Sequence, residues 1–503
     1  MSVHMSTAGP RVRLRPPQRR GRALAVFAAV LTAAFAAAAP AQAAQPGVTE
    51  ISSDPYTAAT APSGQHATEV EPDTFAWSST IVSTYQVGRV FNGGATDIGF
   101  SRSTNGGVSW THGLLPGTSR EAMRPGPFFS VSDPSVAYDA RDGVWIISWL
   151  GAHFSGGGIV DVMVSRSTDG GLTWGAAVTV AATGVFYDKN WSVCDNTPTS
   201  PFYGRCYTEF DNASAGDLEL MSTSADGGLT WGAPTPTADN AHGLGGQPVV
   251  QPSGRVVVPY EGLSGASGIR SFSSDDGGAT WNASVRISTR TSHNVPGVRT
   301  SPLPSAEINR DGTVYVVWQD RRFEPGGTAN DIILSTSADG TTWSPVTRIP
   351  LDPIGSNIDH FIPGLAVDRM SAGSNTLLAL TYYSQQPAGC VGLTCTIQAN
   401  FSSSLDNGQT WSTPQKLSDP MQLAWIAPTT QGAMVGDYIS TSFLAGQQSV
   451  IGAIAIGFPP PSTGTFDEPM FAALQKVRPG VNPTSLDPVQ VTALDTAETS
   501  TPF

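Results

Sequence analysis

The stretch Ser167-Thr168-Asp169-Gly170-Gly171-Leu172-Thr173-Trp174 decides the reading of this chain, because related copies of it recur along the sequence. Ser224 to Trp231 and Ser274 to Trp281 repeat it with Asp226 and Asp276 in the acid position, and Ser404 to Trp411 carries Asp406. Ser103 to Trp110 has Asn105 instead, and Ser337 to Trp343 is one residue shorter around Asp339. The tryptophans stand at 110, 174, 231, 281, 343 and 411, separated by 50–68 residues. Repetition on that scale marks an array of similar supersecondary units.

Physically the box is a tight turn between two strands. Its Asp or Asn oxygen can accept backbone N–H groups within the turn, and its glycines supply positive φ at little steric cost. The Trp opens the next strand and offers a large apolar plate. A carboxylate consumed by its own turn is not free for acid–base work, so all six boxes are expected to be structural. Around each box lies a longer unit. A short strand opens it, as at Asp133-Pro134, and an apolar strand follows, as in Gly143 to Trp149 or Gly312 to Trp318. A third strand then runs into the box. Four antiparallel strands per unit predict an all-β fold, a β-propeller of four-stranded blades. The expected blades cover 71–115, 131–181, 187–237, 243–288, 303–350 and 359–418. A boxless seventh, drawn from 434–474, would take its missing strand from Val48 to Ser52. A six-bladed ring with a C-terminal appendage is the alternative.

Composition agrees. The 503 residues include 54 glycines and 39 prolines but only 13% charged residues, which argues against helical bundles; 12 tryptophans and 40% hydrophobic residues argue against disorder. Six arginines between Arg11 and Arg22 precede an apolar run from Ala23 to Ala39 and the small-residue site Ala41-Gln42-Ala43. This pattern predicts a secretory signal at 1–43, a mature domain over 44–475 and a tail over 476–503, with an extracellular product. Past the leader, acidic residues outnumber basic ones about two to one, which disfavours nucleic acid as a partner. No other apolar run is long enough for a helical span, so no membrane insertion is expected after signal removal. The four cysteines predict two local disulfides, Cys194 with Cys206 and Cys390 with Cys395, since neither cluster has zinc-ligand spacing.

The boxes have the S-x-D-x-G-x-T-W form of the Asp-box, or BNR, repeat, so roughly residues 71–460 resemble the sialidase (neuraminidase) superfamily. The resemblance implies an exo-acting glycoside hydrolase with a glycan substrate. It also implies a tyrosine nucleophile assisted by a glutamate, an aspartate acid/base, and arginines that grip a substrate carboxylate. Carried onto this chain, the expected catalytic residues are Tyr438, Glu261 and Asp133, with Arg124, Arg299, Arg322, Gln247 and Asp437 binding substrate. The sequence departs from that template in two places. The Arg-Ile-Pro signature is missing from the first blade and occurs instead at Arg348 to Pro350, after the fifth box. In the fourth blade, Glu261 stands where an arginine is expected, with Gln247 near the blade entry. Those departures keep a second reading open, a non-catalytic propeller binding glycan or protein at the same face. No cofactor is expected, apart from a calcium option at Asp188, Asp195, Glu209 and Asp211.

Overall fold

The computed structural model describes residues 47–263 and 267–480. The expected leader at 1–43, and the tail beyond residue 480, lie outside the described residues. The strand Met470–Lys476 runs past the expected domain end at 475, and Val477 is buried behind it.

The chain is all-β. Box turns and short Gly-led hairpins leave no room for helices, and the described residues hold only 3₁₀ turns beside the strands. Successive segments fold into four-stranded antiparallel sheets, an arrangement consistent with a sialidase-like β-propeller. Their innermost strands are Gly64–Trp77, Ser130–Asp139, Tyr187–Cys194, Val249–Val250, Ser305–Ile308, Asp359–Val367 and Ser440–Phe443. Each packs on the next, and Ser440–Phe443 packs back on Gly64–Trp77. The first two sheets are linked into one eight-stranded sheet by an isolated pairing of Ala95 with Val131. The last sheet takes its outer strand from the other end of the described chain: Val48–Glu50 pairs antiparallel with Met470–Lys476, Val48 opposite Ala473.

The boxes fold as their composition dictates. In the third, Ser224 Oγ donates to Asp226 Oδ1 at 2.9 Å, Thr230 N donates to the same oxygen at 2.9 Å, and Thr230 Oγ1 donates to Oδ2 at 2.6 Å. Asp169, Asp276 and Asp406 accept the same set. These bonds hold the carboxyls below their ordinary range, to about 2 for Asp169.

The box also faces outward from its own sheet. A Cβ on Gly171 would lie 2.7 Å from Val82 of the first sheet, and one on Gly340 would lie 2.4 Å from Val257 of the fourth. Gly107 of the first box meets Ile451 of the last sheet in the same way, at 2.5 Å. The tryptophans follow: Trp174 packs against Phe100, and Trp281 meets Tyr207 edge-on at 6.3 Å. Each box is therefore both a turn and a dock against the neighbouring sheet.

Both expected disulfides form. Cys194 and Cys206 face each other across adjacent strands and are buried rather than on a surface loop. The other end of that sheet buries Glu209, Asp211 and Glu219, whose six carboxyl oxygens have no hydrogen-bond partner among the described residues. Asp195 lies elsewhere, at the disulfide end, where Thr197 N and Ser200 Oγ donate to it. The four-carboxylate calcium set therefore does not assemble as expected.

Two outcomes follow for stability. Asp406→Ala should cost about 1–2 kcal/mol by removing an acceptor of several local bonds, and Asp406→Asn much less, as natural Asn105 indicates; urea unfolding measures both. Burial pushes the Glu219 carboxyl up to about 8, above its ordinary 4.5. The folded chain therefore holds a proton there that the unfolded chain releases, and the associated stability is lost as pH rises through that value. Calorimetry should show the melting temperature falling from mildly acidic to mildly alkaline pH, with a flatter profile for Glu219→Gln.

Candidate functional site

Four of the seven innermost strands are interrupted where they approach the centre. Register shifts fall between Val70 and Asp73, Ser132 and Ser135, Asp188 and Trp191, and Phe361 and Gly364. Inside each shift one residue adopts positive φ: Glu71 at 54°, Asp133 at 48°, Lys189 at 52° and Ile362 at 49°. A side chain held there costs about 1–3 kcal/mol, and such bulges re-aim the residue they carry. Three of these four residues are charged, and they are aimed at one another.

The Lys189 ammonium is paired with Asp437 and lies 3.7 Å from Asp133 Oδ2 and 4.0 Å from Glu71 Oε1. Arg299 lays its fork on Asp437, Nε donating to Oδ1 at 2.7 Å and Nη2 to Oδ2. Gln86 Nε2 donates to Glu71 Oε2. Beside them is a cavity of about 170 Å³, whose wall includes Glu71, Asp133, Asp188, Lys189, Arg299 and Arg89.

The carboxyls respond differently to this burial. Lys189 and Arg299 hold Asp437 far below its ordinary range, against the opposing effect of desolvation. Glu71 goes the other way: burial, then Asp133, push it well above 4.5, and Lys189 only partly offsets this. Burial and Asp133 also lift Asp188 to about 6. Adjacent to the cluster, burial raises Asp73 to about 7 although Val136 N and Ser135 Oγ donate to it. The site thus presents one carboxylate held ionised and neutralised by its cations, and a glutamate beside the cavity whose burial favours its neutral form.

Of the residues singled out in the sequence, Asp133, Arg299 and Asp437 meet here. Tyr438 is adjacent but turned into the core. Its hydroxyl donates to Pro134 O at 3.3 Å, its ring packs edge-on against Trp191 at 5.0 Å, and burial among four carboxyls pushes its phenol up. That environment opposes the phenolate a nucleophile needs and favours a packing role. Glu261 joins a different pair, 2.6 Å from Arg290 Nη1. Gln247 Oε1 accepts Ala306 N at 2.5 Å, a link between the fourth and fifth sheets.

The expected convergence of three arginines does not occur. Arg124 donates to Leu114 O, and Arg322 is held by Asp320 and Ser288. Glu71, Asp73 and Arg89 were not singled out. The signal for Glu71 was its proline: Glu71-Pro72, Asp133-Pro134 and Ile362-Pro363 occupy the same place in three units.

Residues 143–367 match the BNR repeat-like domain family. A sialidase of Micromonospora viridifaciens is 28% identical over 281 residues, covering 50% of this chain and 40% of that protein. A sialidase of Bacteroides fragilis is 26% identical over 161 residues, covering 27% of this chain and 28% of that one. Over these stretches the chain is similar to sialidases and to BNR-repeat proteins. It matches less than half the length of those two curated sialidases. Among solved structures, a leech intramolecular trans-sialidase aligns at 14% identity with a TM-score of 0.42, over 85% of this chain and 70% of that one.

Within this site, Lys189 is the counter-charge on which the acids depend. Lys189→Met should destabilise the fold by about 3–5 kcal/mol, the scale for stranding buried partners of an ion pair. Asp437 has a depressed pKa, so its contribution is present above the ordinary carboxyl range and lost only in strong acid. Chemical denaturation near neutral pH should therefore show the full loss, and the gap to wild type should narrow as the carboxyls protonate.

Proposed function

We propose that this chain is a secreted, glycan-active member of the superfamily, an exo-acting glycoside hydrolase whose site is the central cavity, with Glu71 and Asp133 as the acid–base pair. The observation that carries the reading is that two carboxyls from adjacent sheets face one cavity in unlike environments. Burial pushes the Glu71 carboxyl well above its ordinary range, while Asp133 faces the Lys189 ammonium at 3.7 Å. Two carboxyls in unlike surroundings can divide the acid and base roles of glycosidic cleavage. Glu71 donates its proton to the leaving glycosidic oxygen, and Asp133 takes a proton from the attacking water.

The curated relatives are named sialidases, and that supports a glycan substrate. The charges argue for a terminal sugar without a carboxylate, because Arg299 and Lys189 are committed to Asp437 and offer no free fork to an anion. In the same reading, the sheets form a seven-bladed ring. The cyclic packing of the innermost strands, the contact of Gly107 with Ile451 and the strand supplied by Val48–Glu50 all support it. Secretion rests on the leader pattern at 1–43.

The test is hydrolysis of a fluorogenic panel that includes a sialoside, neutral hexosides and uronides. Wild type should turn over a neutral glycoside, and Glu71→Gln and Asp133→Asn should each lower kcat/KM by about 10²–10⁴-fold, the usual contribution of a general acid or base. Glycan binding without turnover of any substrate would replace the enzyme with a non-catalytic lectin-like propeller.

A further inference from the structure

Away from the central cavity, the junction between the fifth and sixth sheets buries a second group of ligand-type side chains. Asp331 opens the strand Asp331–Ser337, His360 lies on the innermost strand Asp359–Val367, and Asp352 sits in the connection between them. All three are buried, and one ligand-type atom from each lies within 4.8 Å of the other two.

The hydrogen bonding of this group is one-sided. Arg348 covers one edge: its Nε donates to Asp331 Oδ1 at 2.7 Å, its Nη2 pairs with Asp352 Oδ1, and Glu324 lies 3.8 Å from it. The other edge is not satisfied. Asp331 Oδ2 is buried with no hydrogen-bond partner among the described residues, and the His360 ring, only 4% exposed, has the Asn330 carbonyl beside it. Asp352 Oδ2 lies 3.9 Å from His360 Nε2 and accepts from Ser356 Oγ. Buried polar atoms are almost always paired. When ionised, the three carboxyls around Arg348 exceed its single positive charge by two.

We propose that Asp331, Asp352 and His360 bind one divalent transition-metal ion, zinc or manganese, which ties the fifth sheet to the sixth. The ion lies on the edge opposite Arg348. It takes the free Asp331 oxygen and an imidazole nitrogen as ligands, and its two charges neutralise the excess. One imidazole with two carboxylates suits zinc or manganese, whereas calcium and magnesium favour all-oxygen sets. The ion is structural and does not enter the glycan chemistry at Glu71 and Asp133.

Plasma-mass spectrometry of the full-length protein, purified without chelator and dialysed against metal-free buffer, tests the site together with thermal unfolding. The expected result is about one zinc or manganese ion per chain, a melting transition that drops with EDTA, and recovery when that ion is restored. His360→Phe keeps the ring against Tyr382 and should retain no metal and ignore EDTA. Metal-free wild type whose unfolding is unmoved by zinc or manganese overturns the proposal, as does calcium bound in preference. If His360→Phe fails to fold, the wild-type stoichiometry and EDTA response still decide. Retention of metal and EDTA sensitivity by a folded His360→Phe also overturns it.

Discussion

The contact on which the structure depends is the approach of a box glycine to a neighbouring sheet. Gly171 lies against Val82, Gly340 against Val257 and Gly107 against Ile451, at separations where a Cβ would collide. The box Asp makes this approach possible by fixing its own turn through bonds from Ser and Thr, so that the glycines are held in positive φ rather than sampling it. Turn chemistry and sheet-to-sheet packing are therefore one constraint. A box that loses its acid loosens both a hairpin and the dock beside it.

That constraint also explains where the charge is placed. Sheets fixed side by side bring their innermost strands together, and the bulges on those strands turn Glu71, Asp133 and Lys189 toward a common point. Buried charge of this kind is not a source of net stability, because desolvation offsets much of the attraction. Strained backbone adds to the cost. The apolar packing between sheets, with Trp174, Trp281 and Trp411 nearly wholly buried, supplies the compensation. The acids titrate in opposite senses for the same reason: Asp437 has two cations, while Glu219 has none.

The strands and boxes were legible because they are local. An Asp-Gly-Gly turn before a Trp needs nothing beyond its own eight residues, and adjacent cysteine positions leave little choice of partner. The centre was legible only in part, because it is assembled across sheets. Asp133 and Asp437 were recognisable as polar residues at strand entrances, but nothing local reveals that Arg299 is spent on Asp437 or that Glu261 answers to Arg290. Tyr438 looked like a nucleophile by position, and its ring lies edge-on to Trp191 with its hydroxyl donating to Pro134 O. Glu71 carried a usable sign in the recurrent residue-proline step, whose meaning appears only once the positive φ and the register shift are seen together.

In the proposed reading, the commitment of Arg299 and Lys189 to Asp437 bears directly on specificity. An arginine fork gripping a carboxylate of the protein must release it before it can grip one on a sugar, and the freed Asp437 would then stand buried beside the acids already present. Exchanging one carboxylate for another gains little, while stranding Asp437 costs about as much as breaking any buried pair. A neutral sugar avoids that exchange, because hydroxyls can bond to the outward edges of the cluster while the internal pair stays closed. In the proposed reading the internal salt bridge acts as a filter on substrate charge, set by a residue that need never touch the substrate.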